Sequence, residues 1–528
     1  MVPVVGEGDT HPGPWGSDRV KRNEEAPGVA ELFIDGAWTS AVDGGRREIR
    51  SPADGTLVAE VDEAGAEDTE RAIAAARRAF DDGRWSSVPA AQRGDLLVRV
   101  ADLLQRDRDR IARAETADTG KRVVESEIDV DDVTNCFRWF GHLAASDDGR
   151  LVDTGIATAR SKVVHEPVGV CGLITPWNYP LLQTAWKVAP ALGAGCSFVL
   201  KPSELTPHTA IILMELLAEA GVPDGVANLV LGAGATAGGP LSTDPRIDMV
   251  SFTGGLATGK VLMANAAKTV KKIALELGGK NPFVLFADAD HETAVDNALT
   301  AIFLHSGQVC SAGARLVVEE SAHDRVVDDL VERAQRIRLG GPDDPDTETG
   351  PLISAAHREK VEAYVAAGIA EGAVLRCGGE RPSDPKLQDG YYYPPTILDR
   401  CTQDMAVVHD ESFGPVLTVE TFTDLDDAVR IANDTEYGLA GAVFSSDHGT
   451  CEEVAARLRH GTIWINDFGP YVPAAEWGGF GHSGVGRELG RDGLAEYQEA
   501  KHIWTNTRPG PTGWFPSSTS RSTPGSGS

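Results

Sequence analysis

From Val168 onward, short apolar runs alternate with segments of helical spacing, and this alternation restricts the fold more than any other feature. VGVCGLIT (168–175), SFVLKPS (197–203), NLVLG (228–232), MVSFTG (249–254) and KIALELGG (272–279) read as buried strands. Between them lie Leu182–Leu192, Glu204–Ala220, a short stretch near Ala237–Leu241, and Ala257–Ala267, which read as helices. Strands that alternate with helices build parallel βαβ units, and so a doubly wound α/β domain whose ligands gather at the carboxyl ends of its strands. A second α/β series runs through NPFVLF (281–286), Ala294–Phe303, RLVVEE (315–320), a helix over Asp324–Ile337, GPVLTVETF (414–422) and GTIWIN (461–466), predicting a second domain with its own sheet. Ahead of both come a hairpin, LFIDGAW with its turn at Asp35-Gly36, and two long segments of helical spacing, Glu67–Phe80 and Ala90–Ala117, expected as surface helices. Without a repeat of 20–50 residues the chain is no solenoid or propeller.

Charge and cysteine usage narrow the function. Acidic residues number 79 and basic ones 49, a formal charge of −30 that repels phosphate backbones and anionic headgroups. No nucleic-acid partner is expected. The longest apolar stretches fall short of the roughly 20 residues that span a bilayer, so no membrane partner is expected either. The opening MVPVVGEGDTHPGPWGSD lacks a basic segment followed by an apolar one, and a cytoplasmic location is the expectation. Seven cysteines without a CxxC spacing make neither a disulfide scaffold nor a zinc site, so no metal is expected. Each is then a small buried apolar residue or a nucleophile. Residues 1–28 and 507–528, rich in Gly, Pro and Ser or charge, read as tails that do not pack firmly.

Several positions carry possible chemistry, each beside a plainer reading. Gly232-Ala-Gly234-Ala-Thr-Ala237 follows a strand and mimics a dinucleotide fingerprint, or it is only a tight turn. In Lys201-Pro202-Ser203-Glu204 a strand ends in a lysine and a carboxylate opens the next helix. Glu204 then accepts both hydroxyls of an adenine ribose and repels a 2′-phosphate, or it merely complements the helix dipole. Phe252-Thr253-Gly254-Gly255 ends a strand and opens a helix, where backbone amides can face a pyrophosphate. Cys310, in HSGQVCSAG, lies among small residues that permit access to a nucleophile, against the alternative of an inert buried thiol. Glu276 is the one acid of an otherwise apolar strand, where burial raises a carboxyl towards the range of a general base, or it is a salt-bridged strand-end acid. Asn178, in TPWNYP, donates to an oxyanion or forms an Asx turn.

Together, TPWNYP, KPSE, FTGG, ELGGKNP, GQVC, ESFGP and SGVGRELG stand in the order and spacing by which the chain resembles the aldehyde dehydrogenase superfamily, over about residues 31–506. The resemblance implies two doubly wound α/β domains, a Rossmann-like NAD domain (29–147 and 168–279) and a catalytic domain (280–492), with a small β oligomerisation flap (148–167 and 493–506). It implies Cys310 as nucleophile, Glu276 as general base and Asn178 as oxyanion donor, with Lys187 and Glu488 relaying protons. Thr175, Trp177, Lys201, Ser203, Glu204, Gly234, Gly238, Phe252, Gly254, Gly255, Leu277, Glu411 and Phe413 would hold NAD. A glutamate at 276 implies hydrolysis of the acyl-enzyme rather than its transfer to coenzyme A. Within the superfamily the chain resembles the branch acting on betaine aldehyde, bacterial members above all. Tyr179, Trp186 and Trp477 fall at that branch's aromatic-box positions, suited to a trimethylammonium group that donates no hydrogen bonds. Leu304 stands where plant relatives carry tryptophan, and Gly255 replaces a frequent serine. Asp467 and Glu476 flank the pocket segment and face the cation or are surface acids. The alternatives are an ω-aminoaldehyde such as 4-aminobutanal, a broad-specificity aldehyde dehydrogenase, and a catalytically retired NAD-binding or structural protein on the same fold. Lys162–Pro167 and Tyr497–Thr505 resemble flap strands that pair between subunits, which implies a homodimer or homotetramer.

Overall fold

The computed structural model describes residues 30–146 and 149–515; the expectations for residues 1–28 and 516–528 lie outside it. Its largest sheet has eight strands, in the order Gly484–Val485, Lys272–Leu277, Met249–Gly254, Val170–Ile174, Ser197–Lys201, Ala227–Leu229, Leu32–Ile34, Ala37–Thr39. The strands from Lys272–Leu277 to Ala227–Leu229 are parallel, and the hairpin caps one edge antiparallel. Val170–Ile174 and Ser197–Lys201 are buried along their whole length, as parallel strands covered by helices on both faces must be. At the other edge Gly484–Val485 pairs antiparallel with Leu275 and Glu276, so the chain returns to the first sheet close to its end.

Three local readings need correction. Ala90–Ala117 is two helices, Ala90–Arg106 and Arg108–Thr119, broken at Asp107, and both contribute fully buried residues such as Leu97, Val100 and Ile111. The helix expected from Glu204 starts at His208, because Pro207 lacks an amide hydrogen and keeps Thr206 from helical geometry. Glu204 therefore sits in the turn between strand and helix, which removes its reading as a helix first-turn acid. The longest helix, Val123–Ala145, is absent from the expectations. It packs on Ala90–Arg106 at a close crossing: a Cβ on Gly94 would collide with the Gly141 carbonyl.

The second sheet has seven strands, ordered Val374–Cys377, Thr396–Asp399, Val416–Phe422, Arg315–Glu319, Pro282–Leu285, Ala440–Phe444, Thr462–Ile465, all parallel except the first pair. A third sheet pairs Gln498–Asn506 with Ala159–Pro167 in unbroken antiparallel register, with Arg150–Val152 on the far side. These two long strands pair with each other within one chain. Beyond them Thr507 is tied to the Thr158 carbonyl (2.8 Å), and residues 508–515 are exposed. Among the described residues no helix is long and apolar enough to cross a membrane, and no group of three or more His, Cys, Asp or Glu is placed to hold a metal.

Candidate active site

The helix His291–Phe303 ends in a turn that the backbone makes at some cost. His305, Ser306 and Gly307 have φ of 47°, 53° and 71°, and a Cβ at 307 would strike the Gly414 carbonyl. Side chains fasten this turn: Ser306 Oγ donates to Gly350 O (2.5 Å), and Gln308 Oε1 accepts from Ile353 N (2.8 Å). Cys310 follows. It alone of the seven cysteines is not fully buried. Asn281 Nδ2 donates to the carbonyls of Cys310 (3.0 Å) and Ala312 (2.9 Å), which fixes the chain around the sulfur. Burial, then the charges of Glu276 and Glu411, push the Cys310 thiol up to about 12, against a smaller pull from the Ser311 amide. The resting thiol is thus protonated at neutral pH, and its activation needs a base.

Asn178 is buried, and its Nδ2 donates to the Gln308 carbonyl (2.8 Å), which holds the amide against the Cys310 loop. The Asx-turn reading fails, because the residue two positions on is Pro180, which has no amide hydrogen to donate.

Glu276 is 5% exposed, and its Oε1 has no hydrogen-bond partner among the described residues. A Cβ on Gly478 would come within 2.9 Å of that oxygen, so the carboxyl rests against glycine backbone that leaves it room. Burial and the neighbouring Glu488 charge raise it well above the ordinary carboxylate range, with Lys187 and Arg487 opposing. The alternative of a salt-bridged strand-end acid fails, since among the described residues no cation bonds to it. Lys187, on the helix Pro180–Ala194, instead bonds the Glu488 carboxylate; both are buried, and burial raises Glu488 although Lys187 pulls it down. Glu488 is pinned through two backbone hydrogen bonds to Trp477 (2.6 and 2.7 Å).

At the carboxyl ends of the first sheet, Lys201 Nζ stands 3.2 Å from Glu204 Oε2. Although burial works the other way, the Lys201 charge and hydrogen bonds hold Glu204 below its usual range. Thr175 N donates to Lys201 O (3.1 Å), and Ser203 Oγ accepts from Leu205 N (3.2 Å). Gly238 lies against the Lys201 stem, Gly254 against the Phe252 ring, and Leu277 against Gly259; Gly234 and Gly255 face open space. Gly232–Ala237 does not open an α-helix directly: Gly234–Gly238 is a single wide π-type turn leading into Gly239–Thr243. Further along, Trp177 meets Phe413 and His357 edge-on, each at 5.3 Å, and His357 Nε2 donates to the Phe413 carbonyl (2.7 Å) where Phe413 takes φ 54°. Glu411 Oε1 accepts from Gly279 N (3.0 Å), and burial lifts this acid to about 7.

The aromatic positions divide. Trp186 and Trp477 lie 5.7 Å apart, and Tyr471 joins them at 5.4 and 6.1 Å, its hydroxyl donating to Asp132 Oδ2 (2.7 Å). Tyr179 stands outside this cluster of ring contacts, edge-on to His305 at 5.6 Å and beneath the Lys121 ammonium. Leu304 is 37% exposed and starts the turn before Cys310. Asp467 is exposed and accepts from Phe468 N (2.8 Å), while Glu476, also exposed, accepts from Arg491 N (3.0 Å) at the start of the short helix Gly490–Ala495. Sequence reasoning missed Tyr471, Asp132, Lys121, His305, Gln308 and His357. Of these only Tyr471 carries a local signal, as an aromatic residue within the segment that also supplies Asp467, Glu476 and Trp477.

A protonated thiol beside a high-pKa carboxyl and a fixed amide donor, at the meeting of two α/β sheets, is equipped for acyl chemistry through sulfur. The comparisons agree. The sequence pattern of the aldehyde dehydrogenase family matches residues 38–503. The chain is 56% identical over 484 residues to betaine aldehyde dehydrogenase of Bacillus subtilis (strain 168), covering 92% of this chain and 99% of that protein. It is 42% identical over 491 residues to aminoaldehyde dehydrogenase 2 of Zea mays, covering 92% and 97%. The crystal structure of betaine aldehyde dehydrogenase from Staphylococcus aureus in complex with NAD+ matches it with a TM-score of 0.91 at 50% identity, covering 93% of this chain and 97% of that one. With site, fold and sequence in accord over nearly its whole described length, the chain belongs to the aldehyde dehydrogenase family.

Proposed function

We propose that the chain oxidises betaine aldehyde to glycine betaine with NAD, through a thioester on Cys310. The observation that carries this reading is the Cys310 thiol fixed beside Glu276 and Asn178, with a nest of Trp186, Tyr471 and Trp477 in the same molecule that suits a cation without donors. The likeness to the Bacillus and Staphylococcus enzymes supports it.

The residues at the carboxyl ends of the first sheet fit NAD. Gly234 and Gly255 leave open space for close approach, Gly255 caps the helix Leu256–Ala266, and the buried Thr253 hydroxyl lacks a partner among the described residues. Glu204 is an anion suited to ribose hydroxyls and hostile to a 2′-phosphate. Trp177, Glu411 and Phe413 would hold the nicotinamide end. When bound, the nicotinamide supplies the hydride acceptor.

Cys310 gives up its proton to water, and the thiolate attacks the aldehyde carbonyl, forming a thiohemiacetal. The second N–H of Asn178 and the Cys310 amide stabilise its oxyanion; such a donor is worth about 3 kcal/mol. Loss of hydride leaves the thioester. Glu276, raised by burial, then takes a proton from water for hydrolysis and passes it towards Glu488 and Lys187. The remaining residues divide as a nucleotide-binding part, a catalytic part and the small third sheet, whose Gln498–Asn506 strand serves assembly into a homodimer or homotetramer in the cytoplasm.

A second reading, oxidation of an ω-aminoaldehyde, is favoured by the likeness to the maize enzyme. NADH formation at 340 nm with betaine aldehyde, 4-aminobutanal and a neutral aliphatic aldehyde at equal low concentration separates them. Preference for betaine aldehyde is expected; preference for the amine selects the second reading, and no NADH from any aldehyde returns the chain to a retired enzyme.

A further inference from the structure

One partner of the Tyr179 ring is already a cation. Lys121 Nζ stands 4.2 Å from the ring centroid, bonded to Asp129 Oδ2 (2.6 Å) and to Glu115 Oε1 (3.4 Å), and the lysine side chain is 1% exposed. Burial opposes the Lys121 charge, but Asp129 and Glu115 more than restore it, so the residue stays an ammonium. Tyr179 itself follows Asn178 and meets His305 of the Cys310 loop, which makes it part of the wall around the nucleophile. An ammonium over a ring draws on the same quadrupole that a second cation would use, and it repels that second cation directly.

We propose that Lys121 is a specificity-determining residue: its ammonium, seated on Tyr179, weakens the hold of that ring on a cationic aldehyde and leaves the cation chiefly to Trp186, Tyr471 and Trp477. The inference rests on the reading that the substrate is a cationic aldehyde. Burial raises Asp129, Glu115 (to about 7) and the nearby Glu125, so these acids offset only part of the Lys121 field and the effect is a tuning of affinity and not a switch.

The test compares betaine aldehyde with its uncharged isostere 3,3-dimethylbutanal, taking the ratio of kcat/KM for the two on each enzyme. A purely structural role changes both values together and leaves this ratio alone. Lys121→Gln is expected to raise the cationic-to-neutral ratio about fivefold, mainly through KM, and Lys121→Arg to keep the parent ratio. Because Lys121→Gln leaves two buried carboxylates without their cation, a double variant with Lys121→Met and Asp129→Asn removes the bonded pair together and should raise the ratio by a smaller factor. An unchanged or lowered ratio in both overturns the proposal, and Lys121 is then a support for the fold. A parent enzyme that does not favour the cation defeats the substrate reading instead, while the change from parent to variant still decides the role of Lys121.

Discussion

Two lysine–glutamate pairs, Lys201–Glu204 and Lys187–Glu488, differ in the direction of their acids. Glu204, with 35% of its side chain exposed beside Lys201, is held below the usual carboxylate range. Glu488, 3% exposed beside Lys187, is held above it, although its partner is bonded just as directly. Residual water is the difference: it keeps Glu204 a permanent anion, whereas its loss at Glu488 costs more than one lysine returns. In the proposed reaction the first pair holds hydroxyls and the second exchanges protons.

The largest test asks whether the buried side alone does chemistry. Cys310→Ala is expected to lower steady-state NADH production by roughly a thousandfold or more while NAD still binds on the Glu204 side, as followed by tryptophan fluorescence. Substantial turnover would move the nucleophile elsewhere. Glu276→Gln should retain a first burst of NADH in stopped flow and lose about a hundredfold in the steady state, because hydride loss precedes the step it serves.

Glu488→Gln sharpens the contrast between the pairs. Its charge is one of the causes that raise Glu276, so a neutral amide lowers the Glu276 pKa. Hydrolysis of the acyl-enzyme, which fails as Glu276 becomes protonated, should then persist to lower pH. It should also slow about tenfold from loss of the relay; a shift of its acid limb to higher pH would break the assignment. On the exposed side, Glu204→Gln should leave kcat with NAD near its parent value and reduce the NAD-over-NADP preference in kcat/KM about tenfold. A parent that already favours NADP would reverse the reading of Glu204. The smallest effect belongs to Glu476→Gln, under about 1 kcal/mol of stability from weakening a helix-start contact, with KM for betaine aldehyde changed by less than about twofold. A large rise in that KM would put Glu476 against the substrate cation after all.

The parallel strands were legible because buried strands are short continuous apolar runs, and Val170–Ile174, Ser197–Lys201 and Met249–Gly254 fall inside the runs read for them. The helix Val123–Ala145 was not, because its first half buries Glu125, Ser126 and Asp129, which read as surface, and these acids are tolerable there only beside Lys121 and Arg122. Val130, Val133, Phe137 and Phe140 do carry helical spacing and would have revealed its second half. At the site, Cys310, Glu276 and Asn178 were found as motif residues, whereas Asp132 and Lys121 are functional candidates only through contacts across long separations in the chain.

By itself, then, the sequence determined the doubly wound plan, the family and the residue types of the chemistry, since periodicity and ordered motifs are local properties. Tertiary structure alone decided which carboxyl keeps its charge, which aromatic rings meet, and that Lys121 rests on Tyr179. Each of these depends on burial and on partners brought together by folding, and neither water exclusion nor a distant counter-charge is written in the neighbouring residues.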